Sequence, residues 1–339
     1  MRSEPSGVVQ LLAAAAALAA LALHEGCAPI QTEGPATVEA PPTAADVIAL
    51  PNRADSFKFG VLGDFGSGSS GQIDLGKQMA ATHSTFPYEL VITVGDNIYG
   101  SERPQDFRRK FEVPYAALLN AGVRFYASLG NHDSREQRYY ELFNMDGQLY
   151  YSFSPHPDIR FFALESTYME PEQVEWLESE LKGSNEAWKI AYFHHPLYSS
   201  GERHGSDIRL RQAIEPLLVS YNVSVVFAGH DHFYERVEPQ QGIVHFVTGS
   251  GGQLRRGNID PASGITARGY DDDYVFLVAE IEADVMNFQA ISRGGTVIDS
   301  GIINSREASD AGTQPQDAPA SQPPSKPPAK PLPRSAATP

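Results

Sequence analysis

Five short segments of this 339-residue chain carry side chains of the kind that bind metal ions, and each stands where an apolar run stops. Gly63-Asp64 closes Phe57–Leu62, and Gly95-Asp96-Asn97-Ile98-Tyr99 closes Leu90–Val94. Gly130-Asn131-His132-Asp133 follows Val123–Leu129, and His194-His195-Pro196 follows Lys189–Phe193. Gly229-His230-Asp231-His232 follows Val223–Ala228. Carboxylate, phenolate, amide oxygen and imidazole all offer lone pairs to a cation. Taken singly the segments are ordinary, since Gly-Asp is a common turn and Tyr99 alone reads as core. Their repetition at one kind of position is what points to a metal site. Glycine precedes four of the five, where it lets the backbone turn sharply and approach an ion closely. His230 and His232, two apart on an extended segment, point the same way.

The elements that must position these residues alternate strand and helix. Phe57–Leu62, Leu90–Val94, Val123–Leu129, Lys189–Phe193 and Val223–Ala228 read as strands, with Tyr150–Ser154 and Arg160–Leu164 between them. Leu75–Thr82, Phe107–Asn120, Glu170–Leu181 and Asp207–Tyr221 read as helices, the third opened by Pro171. Ile243–Thr248, Tyr274–Ile281, Asn287–Ser292 and Thr296–Ile303 then follow as strands with no helix between. An α/β core running into an antiparallel section is expected, and in such sheets ligands bind beyond the carboxyl ends of strands.

At 41% apolar and 20% charged residues, the composition suits one large domain with dispensable ends. A net charge of −16 excludes nucleic-acid binding by phosphate neutralisation. Arg2 precedes an apolar run from Val8 to Leu23, too short to span a bilayer comfortably and suited to a secretion signal. Gly26-Cys27-Ala28 resembles a bacterial lipoprotein processing site, so a lipid anchor at Cys27 and simple cleavage nearby both stand. Export to the periplasm, the outer membrane as a lipoprotein, or the extracellular space is expected. Cys27 is the only cysteine, so disulfides have no part in the body of the protein. The expected organisation is a signal over 1–26, a flexible tether over 27–52, a catalytic domain over 53–303 and a Pro-rich disordered tail over 304–339.

The ordered set Gly-Asp, Gly-Asp-x-x-Tyr, Gly-Asn-His-Asp, His before Pro and Gly-His-x-His resembles the calcineurin-like metallophosphoesterases. Tyr99, three residues after Asp96, narrows the resemblance to the purple acid phosphatases, the family that includes the tartrate-resistant type. It covers roughly Asp55 to Ile303. Gly-Asp-Asn-x-Tyr and His-x-Pro look like the small mammalian-type members, whereas His230 through Arg236 looks like the larger plant-type ones, so the subfamily stays open. The resemblance implies an α/β fold, a four-layer α/β/β/α sandwich of two mixed sheets flanked by helices. It also implies that Asp64, Tyr99 and His232 hold one metal, Asn131, His194 and His230 a second, and Asp96 bridges them. His195 competes with His194, and the family's His-x-Pro spacing selects His194. Hard anionic donors suit Fe(III) at the first position, and imidazole with amide oxygen suits Fe(II), Zn(II) or Mn(II) at the second. His132 is the expected proton donor and phosphate contact. His204 resembles a second outer histidine with one extra residue intervening, and a solvated loop histidine is its other reading.

The implied activity is hydrolysis of small phosphate monoesters by a metal-bound hydroxide, as in acid phosphatases, between two ions. A calcineurin-like phosphodiesterase or nucleotidase using zinc or manganese is the alternative. A surface-anchored, non-catalytic binding protein on a phosphatase scaffold ranks below both. Gly249-Ser250-Gly251-Gly252 lacks the following Gly-Lys-Ser/Thr of a phosphate loop and is read as a sheet-end loop near the metals. Arg255 and Arg256 are read either as phosphate guides or as surface charges, and His24, His83, His156 and His245 as surface or filler.

Overall fold

A computed structural model of the chain describes residues 49–306. The expected signal segment, Cys27, most of the expected tether and nearly all of the Pro-rich tail lie outside these residues. The described fold extends slightly beyond 53–303. Asn52 N–H donates to Glu280 Oε2 at 2.6 Å, Leu50 packs against an apolar cluster, and Arg306 N–H donates to Ser224 Oγ at 3.0 Å.

The first sheet contains β1 (Phe57–Leu62), β2 (Leu90–Val94), β3 (Arg124–Ser128) and the hairpin strands β11 (Val275–Glu282), β12 (Val285–Ser292) and β13 (Val297–Asn304). Its order is β13-β12-β11-β1-β2-β3, with β1, β2 and β3 parallel and β11 antiparallel to β1. The second sheet contains β4 (Tyr151–His156), β5 (Ile159–Ala163), β6 (Trp188–Tyr192), β7 (Val225–Ala228), β8 (Tyr234–Val237), β9 (Val244–Thr248) and β10 (Thr266–Tyr270). Its order is β10-β8-β9-β7-β6-β5-β4, in which β5, β6, β7 and β9 are parallel. Both sheets are therefore mixed, and helices cover their outer faces, giving the expected sandwich.

Continuous apolar strands such as β2 and β6 are buried throughout because each meets the other sheet on one face and helices on the other. Aromatic rings from both sheets fill the space between them. Phe59 meets Phe161 at 5.2 Å and Phe246 meets Phe288 at 5.1 Å, both edge-on. Helix α1 (Ser70–Thr85) packs Leu75 and Met79 behind the first sheet, while α4 (Pro171–Gly183) and α5 (Ile208–Ser220) pack Leu177, Leu181, Leu210 and Ile214 behind the second.

Several elements depart from the sequence reading. Helix α1 starts five residues earlier than Leu75, because Ser69 Oγ accepts from Gln72 N–H while Gln72 Oε1 accepts from Gly68 N–H, a reciprocal cap. The expected helix over Phe107–Asn120 is broken into α2 (Pro104–Phe107), a wide π-type turn over Arg108–Glu112 and α3 (Ala116–Asn120). Pro114 accounts for the break, since it has no N–H to donate and its ring crowds the preceding turn. Strands β8 and β10 were not expected. Their charges made them look like loop, yet these are paired inside the fold: Arg236 donates to both oxygens of Asp299, and Thr266 donates to Glu235. His245, read as surface or filler, is buried on β9 against the Tyr198 ring at 4.9 Å.

Candidate metal centre

The parallel strands of both sheets end at one edge, and the side chains at those ends converge. Asp64, Asp96 and Asn131 follow β1, β2 and β3, while His194, His230 and His232 follow β6 and β7. Three of these residues hold left-handed backbone conformations that side chains usually avoid: Asp64 at φ 53°, Asp96 at 51° and His230 at 71°. Hydrogen bonds from backbone N–H groups hold two of them there, Asp64 N–H to Gly95 O at 3.0 Å and His230 N–H to Asp64 Oδ2 at 2.9 Å. The glycines beside them leave room that any side chain would take. A Cβ on Gly130 would lie 2.2 Å from Asp96 Oδ1, and one on Gly229 would lie 2.3 Å from Asp64 Oδ2.

The side-chain atoms fall into two clusters. Around His194 Nε2 stand Asn131 Oδ1 at 3.1 Å, His230 Nδ1 at 3.1 Å and Asp96 Oδ1 at 3.5 Å. Around Asp64 Oδ1 stand the Tyr99 hydroxyl at 3.1 Å and His232 Nε2 at 3.4 Å, with 3.3 Å between the last two. Asp96 links the clusters, since its carboxylate lies within 4.8 Å of ligand atoms of both Asp64 and His194.

The donor chemistry of the first cluster fits a cation. His194 Nδ1 faces the Val94 carbonyl at 2.9 Å, and a carbonyl only accepts, so in the neutral ring Nε2 carries the lone pair. That lone pair points at the oxygens of Asn131 and Asp96, which are also acceptors. Lone pairs gathered at such distances repel unless a positive charge lies among them. Ligand bonds of about 2.0–2.2 Å place neighbouring ligand atoms roughly 3.0–3.4 Å apart, close to the spacing here.

Burial also tunes the groups for ligation. It pushes His194 well below the usual imidazole range, with His195 adding repulsion, and lowers His230 to about 2 with His194 next in effect. His232 falls to about 4, through burial first and then the nearby charge of Arg255. All three rings are therefore neutral, the form that binds metal. Burial raises Asp64, and the Asp96 charge raises it further. The Tyr99 phenol is pushed far up by burial and then by Asp64 and Asp96, so it keeps its proton and donates it to Asp64. A phenolate ligand at this position thus requires a strongly acidic cation.

The remaining sequence-expected residues lie at the rim. His132 is exposed, its backbone N–H donates to Asp96 Oδ1 at 3.0 Å, and its ring sits 5.0 Å from that of Tyr99. The His204 ring lies 4.2 Å from the His230 ring, tilted by 45°, and lines a cavity of about 400 Å³ with His195, Arg203 and His230. His195 approaches the Ser166 hydroxyl at 3.0 Å and, with His194 and His230, forms a further trio within ligand reach. The structure therefore brings all nine sequence-expected residues to one place, with His195, the competitor of His194, among them.

Two carboxylates that organise the site, Asp133, partly buried, and Asp231, fully buried, have no role assigned from the sequence. Asp133 accepts from the backbone N–H groups of Asn97 and Ile98, both at 3.0 Å, and of Gly130 at 2.9 Å, which locks the turns after β2 and β3 together. Burial and Asp96 raise its carboxyl to about 7, against which these donors favour the ionised form. Asp231 accepts from Ser199 Oγ at 2.6 Å and from Gly205 N–H at 3.0 Å, which pins the loop carrying His204. Their signal was an acidic residue beside a ligand on a segment where neighbours face opposite ways. The Gly249–Gly252 loop packs against this end, with Gly251 N–H donating to Gly63 O at 2.9 Å, as expected of a sheet-end loop.

Comparison with known proteins agrees with this geometry. The tartrate-resistant acid phosphatase type 5 of Rattus norvegicus is 24% identical over 247 residues, covering 58% of this chain and 73% of that protein. Purple acid phosphatase 7 of Arabidopsis thaliana is 25% identical over 296 residues, covering 75% of this chain and 88% of that one. The solved purple acid phosphatase from yellow lupin (Lupinus luteus) seeds shares the fold at a TM-score of 0.62 and 18% identity, over 80% of this chain and 58% of its own. A family model for calcineurin-like phosphoesterases matches residues 57–234, more than half of the chain, and the chain belongs to that family.

Proposed function

We propose that this protein is a two-metal phosphatase of the purple acid type that hydrolyses small phosphate monoesters. In this reading Asp64, Tyr99 and His232 hold one ion, Asn131, His194 and His230 the other, and Asp96 bridges. The observation that carries it is Tyr99, whose hydroxyl stands 3.1 Å from a carboxylate and 3.3 Å from an imidazole, beside a second cluster of neutral donors. Phenolate with carboxylate favours Fe(III), and the amide and imidazole cluster favours Fe(II), Zn(II) or Mn(II). When bound, such a pair supplies a hydroxide nucleophile at acid pH and positive charge for the phosphoryl oxygens.

The chain's own residues do the rest. His132, exposed at the rim, donates the proton that the leaving alkoxide needs. His204, on its pinned loop, contacts phosphoryl oxygens from the opposite side. Asp133 and Asp231 hold the turns that carry these groups, so they need not move during reaction. The reading includes export, with Cys27 or a site near it as the processing point, which intact-mass measurement of the mature protein checks.

The test compares 4-nitrophenyl phosphate with its bis-ester. The monoester is expected to be preferred at least a hundredfold at acid pH, and the iron-loaded protein to show a visible charge-transfer band that Tyr99→Phe abolishes. Preference for the diester, or full activity in an iron-free colourless preparation, would favour the zinc or manganese phosphodiesterase reading.

A further inference from the structure

Two arginines beside the metal centre take no part in the chemistry above. The loops 199–206 and 253–260, which follow β6 and β9, are zipped together by backbone contacts. Glu202 N–H donates to Asn258 O at 2.9 Å, Asp260 N–H to Ser200 O at 2.9 Å, and Gly201 bridges Ile259. The zipper sets Arg203 on one loop near Arg255 on the other. Arg255 N–H donates to the His232 carbonyl at 2.9 Å, which fixes it next to a candidate ligand.

The Arg255 Nη1 atom is buried and has no hydrogen-bond partner. Among the described residues no carboxylate lies within ion-pair distance of either guanidinium. A buried donor on a charged group left unpaired is costly, and two like charges brought together add to that cost. Arg203 lines the cavity of about 400 Å³ that also contains His195, His204 and His230, while Arg255 is tied by its backbone to His232 beside it. The backbone bond to His232 keeps Arg255 at the end of the sheet that carries His230 and His232. Arg256 is different: it is exposed, and its guanidinium donates to the Asp272 carbonyl at 2.6 Å.

We propose that Arg203 and Arg255 form a second anion subsite next to the metal centre, which takes the second phosphoryl group of a substrate that carries two. A phosphoryl group has three oxygens and up to two negative charges, enough to engage both planar guanidiniums, whereas a carboxylate would leave one of them uncompensated. The subsite lies on the His230–His232 side, so the two phosphoryl groups are close together, as in a diphosphate. The inference rests on the phosphatase reading of the centre.

The test is calorimetric binding of inorganic diphosphate and of orthophosphate to the metal-loaded full chain. Wild type is compared with Arg255→Gln, Arg203→Gln and Arg256→Gln, and chelation of the ions, common to all four, cancels in the comparison. Wild type is expected to bind diphosphate at least tenfold more tightly than orthophosphate. Arg255→Gln and Arg203→Gln should each cut that preference at least fivefold, and Arg256→Gln should leave it unchanged. If Arg255→Gln melts early, the exposed Arg203 carries the test. No preference in wild type, an unchanged preference in Arg203→Gln, or an equal loss in Arg256→Gln would overturn the subsite. Diphosphate preference without monoester hydrolysis would instead overturn the phosphatase reading while leaving the subsite standing.

Discussion

At the scale of single residues, His194 and His195 are neighbours with different surroundings. His194 is fully buried, its Nδ1 satisfied by Val94 O, and its Nε2 stands where Asn131, His230 and Asp96 meet. His195 faces the Ser166 hydroxyl and is only partly buried. His194→Ala is therefore expected to lose at least one ion per chain, while His195→Ala keeps both and loses less than tenfold in activity. Metal analysis of the two purified variants by mass spectrometry decides this, and the reverse pattern would reassign the ligand. These residues were legible in the sequence because each follows an apolar strand and is chemically of one type. Asp133 and Asp231 were not, because their work is to accept hydrogen bonds from other turns, and no local pattern shows which N–H groups will arrive there.

At the scale of elements, the strand ends were readable and the loops between them were not. Strands β1, β2, β6 and β7 are apolar runs buried on both faces, a pattern written in their own residues. Strands β8 and β10 form only because Glu235, Arg236 and Arg268 find partners far along the chain, so their residues look like loop when read locally. The loop 199–206 is similar, since its shape depends on Asp231. Ser199→Ala removes one hydrogen bond from that carboxylate at 2.6 Å, a contact worth about 1 kcal/mol. The expected result is a several-fold rise in KM for a monoester, with metal content unchanged and kcat little altered, since the loop bears His204 rather than a ligand. Steady-state kinetics beside metal analysis reads both quantities, and a loss of metal would mean that Asp231 supports the ligands directly.

At the scale of the whole molecule, two sheets converge on one edge, and a buried histidine opposes the fold in acid. His245 has both ring nitrogens buried without partners, and burial followed by Arg211 lowers it to about 3. In the unfolded chain the ring takes up a proton near pH 6.5, but in the fold it does not until about pH 3, so stability is undiminished above 6.5 and falls as pH drops between the two. His245→Phe should therefore gain about 2 kcal/mol relative to wild type on going from pH 8 to pH 5, measured by urea unfolding at both. An equal difference at both pH values would show that the ring is not buried neutral. The sheets' convergence has a more direct consequence, because the Asp96 carboxylate lies within ligand reach of both Asp64 in one cluster and His194 in the other. The decisive measurement is metal content and monoester turnover of wild type and Asp96→Asn side by side. Two ions per chain with turnover in wild type, falling to one or none with at least a thousandfold loss in Asp96→Asn, is the expected result. Two ions and undiminished turnover in the variant would contradict a centre bridged by Asp96.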